Sequence, residues 1–215
     1  MKLAALLTVI LVAACSPEPR RAFPVGFQGP VASRVAAEAA RLGLTVSDQP
    51  PAGAAIETAA APGAKAGEPE VAADWATLRF LAARAAVKGA GGVFFRLPSA
   101  PEGRDLLDYL EEWQAPVRAL RELQAMRPIL EGGLQAAIPF VVPPGVEARA
   151  WSYQGRQYVL LVNPSAEAVH IDAENLAQWR VLFEVRSDAR HVLSPCGSNR
   201  CLPGRSVLWL EGRFW

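Results

Sequence analysis

Apolar positions follow two different patterns along the chain. Up to about residue 133, short apolar runs alternate with longer stretches rich in Ala, Leu and Arg. Val25-Gly26-Phe27 reads as a short strand, and Val31 to Leu42 as a helix that Gly43 terminates. Leu44 to Val46 forms a second strand running into Asp48, followed by the loop Pro50-Pro51-Ala52-Gly53. Ala54 to Ala59 is a small apolar strand carrying Glu57. Asp74 occupies the N-cap place of a helix from Trp75 to about Lys88, which Gly89, Gly91 and Gly92 stop. Gly92 to Leu97 has the composition of a buried strand. Leu106, Leu107, Leu110 and Trp113 give an apolar face to a helix over Arg104 to Gln114. Pro116 is expected to open a separate helix, running to about Leu130 and ending at Gly132-Gly133. Strand and helix alternate throughout, which predicts parallel βα units.

From Pro139 the helical period disappears. Val146 to Ala150 alternates apolar and charged residues, Tyr153-Gln154-Gly155-Arg156 reads as a hairpin turn, and Gln157 to Val162 is an apolar strand closed by Asn163-Pro164-Ser165. Val169 to Ile171, Trp179 to Val185 and Ser206 to Glu211 are further strands. Short strands joined by turns predict an antiparallel β-sandwich whose core takes Trp151, Tyr158, Trp179, Phe183 and Trp209. The fold class expected is therefore α/β followed by all-β.

The first residues belong to neither pattern. Met1-Lys2 is a positive start, and Leu3 to Ala14 is an apolar run too short to span a bilayer, which needs about 20 residues. It fits the apolar region of a secretory signal. Val12-Ala13-Ala14-Cys15 resembles a bacterial lipobox. That resemblance implies a lipid on the Cys15 thiol, removal of residues 1–14, a tether over 15–22, and a protein held on a membrane facing the periplasm or cell exterior. Each buried CH₂ of an acyl chain adds about 0.8 kcal/mol of membrane affinity, so several chains anchor stably.

Charge narrows the partners. The chain holds 22 basic and 21 acidic residues, and loss of the leader with Lys2 brings the balance to zero. Nucleic-acid binding, which draws on a basic face, is not expected, and no polybasic patch invites anionic lipid. Lipidation of Cys15 leaves Cys196 and Cys201 in a turn-forming stretch, where an exported protein forms a disulfide. A metal there is disfavoured, because His170 and His191 have no ligand spacing with the pair. Gly89-Ala90-Gly91-Gly92 reads as a helix stop, and neither a phosphate loop nor a nucleophile elbow occurs, so no cofactor is implied.

From about residue 54 onward the order of elements resembles the C-terminal part of a TIM-barrel glycoside hydrolase followed by its β-sandwich domain. Ala55-Ile56-Glu57-Thr58 resembles a late barrel strand. Leu78-Arg79, Ala82 to Ala86 and Lys88 to Phe95 resemble the last helix and strand, and Leu120 to Leu130 the helix leading to the sandwich. Val146 to Ser152 and Gly155 to Asn163 resemble the sandwich's opening hairpin. The resemblance implies a site at the carboxyl ends of the strands, with Glu57 as a catalytic glutamate. Such chemistry takes two carboxyl groups, and Asp48 is the local candidate for the second.

Length opposes catalysis. A full barrel takes about 250 residues, and only 112, residues 22–133, precede the sandwich half. With a leader at the start, no further barrel half is expected upstream. The domains expected are a partial barrel-like unit over 23–133 and a β-sandwich over 139–215. Three readings follow: a non-catalytic lipoprotein binding glycan, through aromatics such as Trp75 or Trp151, or a protein partner; a structural or assembly lipoprotein; and a reduced glycoside hydrolase using Glu57, completed by a homodimer.

Overall fold

The computed structural model describes residues 22–29, 31–59, 73–97, 106–108, 110–172, 178–182, 194–196 and 199–213. The leader, Cys15, Phe183 and His191 lie outside them. Four strands, β1 (Val25–Gln28), β2 (Thr45–Ser47), β3 (Ala55–Thr58) and β4 (Val93–Arg96), form one sheet in the order β2-β1-β4-β3. All its pairings are parallel, as the βα alternation predicts. The last strand lies beside the first, while β2 and β3, adjacent in sequence, stand at opposite edges.

Among the described residues three α-helices accompany the sheet: α1 (Ser33–Arg41), α2 (Trp75–Val87) and α3 (Leu110–Gly132). Asp74 caps α2 as expected, its carboxylate accepting the Thr77 amide at 2.8 Å. Gly89 follows with φ of 86°, a conformation glycine adopts without a steric penalty. The expected pair of helices after β4 is instead a short 3-10 turn, Leu106–Asp108, and one continuous α3 with Pro116 and Pro128 inside it. Pro116 removes one backbone donor but does not end the helix. Trp113, Val117, Leu120, Leu123 and Ile129 are buried along the helix on both sides of the prolines, so burial outweighs the local break.

The second half begins earlier than Pro139. β5 (Leu134–Ala136), β6 (Glu147–Tyr153), β7 (Arg156–Asn163), β9 (Arg180–Val181) and β12 (Ser206–Arg213) form an antiparallel sheet ordered β5-β6-β7-β12-β9. β8 (Val169–Ile171), β10 (Ser194–Cys196) and β11 (Asn199–Leu202) form a smaller one, β10-β11-β8. The β6–β7 hairpin turns on Gln154 and Gly155, with φ of 49° and 71°, as a two-residue turn of matching twist requires.

Burial explains why β7 and β12 read as unbroken apolar runs. Leu160, Val162, Val207 and Trp209 join the helices and the parallel-sheet residues Val25, Phe27, Val93 and Phe95 in one core. Val159, Leu161, Leu208 and Leu210, on the opposite face, pack with Ile171 and Leu202 of the smaller sheet. Tyr158 and Trp179 are only partly buried, unlike Trp151 and Trp209. A buried ion pair ties the layers. Arg79 Nε donates to Glu122 at 2.5 Å, and Arg79 Nη1 to the Val207 carbonyl at 3.0 Å, joining α2, α3 and β12.

Candidate functional site

The register of the parallel sheet decides which way Glu57 faces. Glu57 lies in one row with Phe95, Phe27 and Val46. Residues level across a sheet share a face, and Phe27 and Phe95 pack into the core with the helices. Glu57 therefore faces α2. The neighbouring row, Ile56, Phe94, Gly26 and Thr45, takes the opposite face, where Ile56 is 46% exposed and Phe94 is fully buried.

Beside Glu57 is a cleft of about 500 Å³, between the edge strand β3 and the end of α2. Gly53, Ala54 and Ala55 form one wall; Leu81, Arg84, Ala85, Lys88, Gly89 and Ala90 form the other. The space exists because small residues line both walls at the level where β3 begins and α2 ends. These small residues lie at the amino end of the strands, and Glu57, the third of the four residues of β3, reaches the cleft from further along; the resemblance implied a site at the carboxyl ends.

Electrostatics set the character of the cleft. Arg84 and Lys88 stand four residues apart on α2, one above the other. Arg84 gives Nε and Nη2 to Glu147, with its contacts at 2.8–3.1 Å, and Lys88 approaches the same carboxylate at 3.8 Å. Arg84 accordingly holds Glu147 below the usual carboxylate range. The Glu57 carboxylate makes no hydrogen bond or ion pair with any described residue, the strand's own hydrogen bonds to β4 being through the backbone. Partial burial raises its pKa above the ordinary value, opposed by the charges of Arg84 and Lys88.

The structure does not bring the two candidate carboxylates together. Asp48 follows the edge strand β2 and is exposed, while Glu57 is on the opposite edge strand. Three interstrand steps of about 4.8 Å separate them by roughly 14 Å. Retaining glycosidases place their carboxyls about 5–5.5 Å apart and inverting ones about 6.5–9.5 Å. The aromatic candidates are also structural. Trp151 is 4% exposed and packs on Trp209 at 5.8 Å between ring centres, leaving no face for a sugar. Trp75 is half-buried against the core, with Arg118 and Arg79 at 5.1 and 5.9 Å from its ring centre. Cys15 lies outside the described residues. Arg84, Lys88 and Glu147 were missed in the sequence; the four-residue spacing of the two cations was the available signal, but their carboxylate comes from the other half of the chain.

Comparison with known proteins gives partial likenesses. No family model matches, and no curated protein matches. Solved structures that resemble the chain are glycoside hydrolases. Amy13B of Eubacterium rectale is 13% identical with a TM-score of 0.46, covering 64% of this chain and 34% of its own. An α-amylase of Geobacillus thermoleovorans is 14% identical with a TM-score of 0.38, covering 64% and 33%. A GH30 endoxylanase of Clostridium papyrosolvens is 12% identical with a TM-score of 0.38, covering 89% and 49%. The chain thus spans a third to a half of the length of these enzymes.

Proposed function

We propose that this chain is an exported lipoprotein, anchored in the bacterial envelope through Cys15, whose reduced glycoside-hydrolase-like framework binds glycans without cleaving them. The observation that carries the reading is the placement of Glu57 and Asp48 on opposite edges of the parallel sheet, too far apart to work on one glycosidic bond. The strand order supports the framework. Around a closed βα barrel the last strand lies beside the first, as β4 lies beside β1, and the run β3-β4-β1-β2 then corresponds to four neighbouring staves. The apolar cluster shared by the two antiparallel sheets supports a β-sandwich in the second half. The leader and Val12-Ala13-Ala14-Cys15 support export and lipidation. An oxidising destination fits a Cys196–Cys201 disulfide, and the two cysteines lie on the paired strands β10 and β11.

Two measurements test this. Expressed with its leader, the protein is expected to incorporate palmitate and partition into detergent, and Cys15→Ser to do neither. The soluble chain from residue 16 is expected to retain members of a glycan array while releasing no chromophore from aryl glycosides. Turnover that is lost in Glu57→Gln refutes the non-catalytic reading, and an array with no retained glycan refutes glycan binding.

A further inference from the structure

We infer that the cleft between β3 and the end of α2 is a binding site for a neutral saccharide unit, held by Glu57 and Lys88 on the face of the parallel sheet that meets α2. The inference rests on the glycan-binding reading above and gives it a location between the edge strand β3 and α2.

Four observations carry it. The cleft, at about 500 Å³, lies in the size range of small-molecule sites, about 300–1,000 Å³. Its walls at Gly53, Ala54, Ala55, Ala85, Gly89 and Ala90 are small, so a ring reaches the charged groups without displacing side chains. Glu57 is turned into this space with no hydrogen-bond partner among the described residues, which leaves its acceptor sites for ligand hydroxyls. Lys88 is 58% exposed and only loosely held by Glu147, so its ammonium donors remain available to ligand oxygens.

The charge balance selects the ligand class. Within the cleft Glu147 pairs with Arg84 and Lys88, and Glu57 faces the same two cations; the Arg149 guanidinium, beside Gly89, lies over Trp151 and reaches Gln135, and lines the neighbouring hollow rather than this cleft. An anionic group near Lys88 meets Glu57, and a cationic group near Glu57 meets Lys88 and Arg84. Vicinal hydroxyls both donate and accept, so a polyhydroxylated neutral ring satisfies both ends at once. Leu81 supplies an apolar contact for the carbon side of such a ring.

The test is amide-resolved NMR titration of the soluble chain with methyl β-D-glucoside, methyl β-D-galactoside and methyl β-D-glucuronide. At least one neutral glycoside is expected to shift the amides of Ala54, Ala55, Gly89 and Ala90, and to bind more tightly than the glucuronide. Ala54→Trp, which fills the cleft from a loop position, is expected to abolish those shifts. Glu57→Gln and Lys88→Ala are each expected to weaken binding at least five-fold, and acidification that protonates Glu57 is expected to weaken it in the unsubstituted chain. Glycan binding that survives Ala54→Trp or shifts other amides overturns the site but leaves the glycan-binding reading intact. Preference for the glucuronide overturns the ligand class. Absence of any response from all three glycosides, with glycans still retained on the array through other residues, also overturns the site.

Discussion

The Arg79–Glu122 pair offers the most direct test of how the two halves are joined. Both side chains are nearly buried, at 7% and 10% exposure, and the guanidinium also donates to the Val207 carbonyl. Arg79 Nη2 is already buried without a partner. Removing one member of such a pair leaves an uncompensated buried charge, at a cost of about 3–5 kcal/mol. For a domain of this size, about 2–4 °C of melting temperature accompanies each kcal/mol, so Glu122→Gln and Arg79→Met are each expected to lower Tm by roughly 6–20 °C. The double replacement Arg79→Met with Glu122→Leu removes both charges and is expected to cost less than either single change, because no ion is left behind. Urea unfolding of the soluble chain and the three variants at pH 7 reads this as a shift in midpoint at constant slope. Screening by salt is weak for a buried pair, so the cost of the single variants is expected to persist at high ionic strength. A loss below about 1 kcal/mol for Glu122→Gln, or a double variant worse than the sum of the singles, would refute the reasoning.

Glu57 carries a pH prediction. Its folded pKa is raised, so folding favours the protonated form; its contribution is fully present below the unfolded carboxylate pKa and is lost as pH rises through the higher folded one. Glu57→Gln is therefore expected to raise stability at pH 7 and to bring no gain under acid conditions, checked by melting curves across pH. Trp209, fully buried against Trp151, is expected to cost about 3–5 kcal/mol on truncation to Ala, read by urea unfolding. A β-carbon at Gly26 would lie 1.8 Å from the Thr45 carbonyl oxygen, so Gly26→Ala is expected to part β1 from β2 and cost about 1–3 kcal/mol or more. Faster amide exchange in β2 checks it. The proposed Cys196–Cys201 disulfide predicts that Cys201→Ser costs about 2 kcal/mol, the loop-closure value for so short a ring, with a matching loss when the unsubstituted protein is reduced.

Local signals in the sequence carried most of the element boundaries. Asp74 at the start of α2, Gly89 after it and Gln154-Gly155 in the β6–β7 turn each act through their own backbone, so neighbours in sequence suffice to read them. The α3 helix shows the limit of such reading. Pro116 is a strong local break, but what keeps the helix whole is the burial of Trp113, Val117 and Leu120 against residues distant in sequence. The unbroken run Val159 to Val162 likewise identified a buried strand but not its two covers, the helical layer on one side and the small sheet on the other.

The site was legible only in part, for a related reason. A strand of four residues has two faces, and alternation in Ala55-Ile56-Glu57-Thr58 leaves open which face meets the helices. The register with Phe95 and Phe27 settles it, and that register is a property of the assembled sheet. Once Glu57 faces α2, its surroundings follow: the cations Arg84 and Lys88 stand at the end of that helix, and their carboxylate Glu147 comes from the first long strand of the second half. Sequence order pairs Glu57 with Asp48, nine positions away; folding instead moves Asp48 to the far edge and sets Glu57 beside two cations whose carboxylate lies ninety positions further along the chain. Among the described residues that line the cleft, Glu57 stands beside two cations and no second acid, and the glycan-binding proposal uses its carboxylate as an acceptor for hydroxyls.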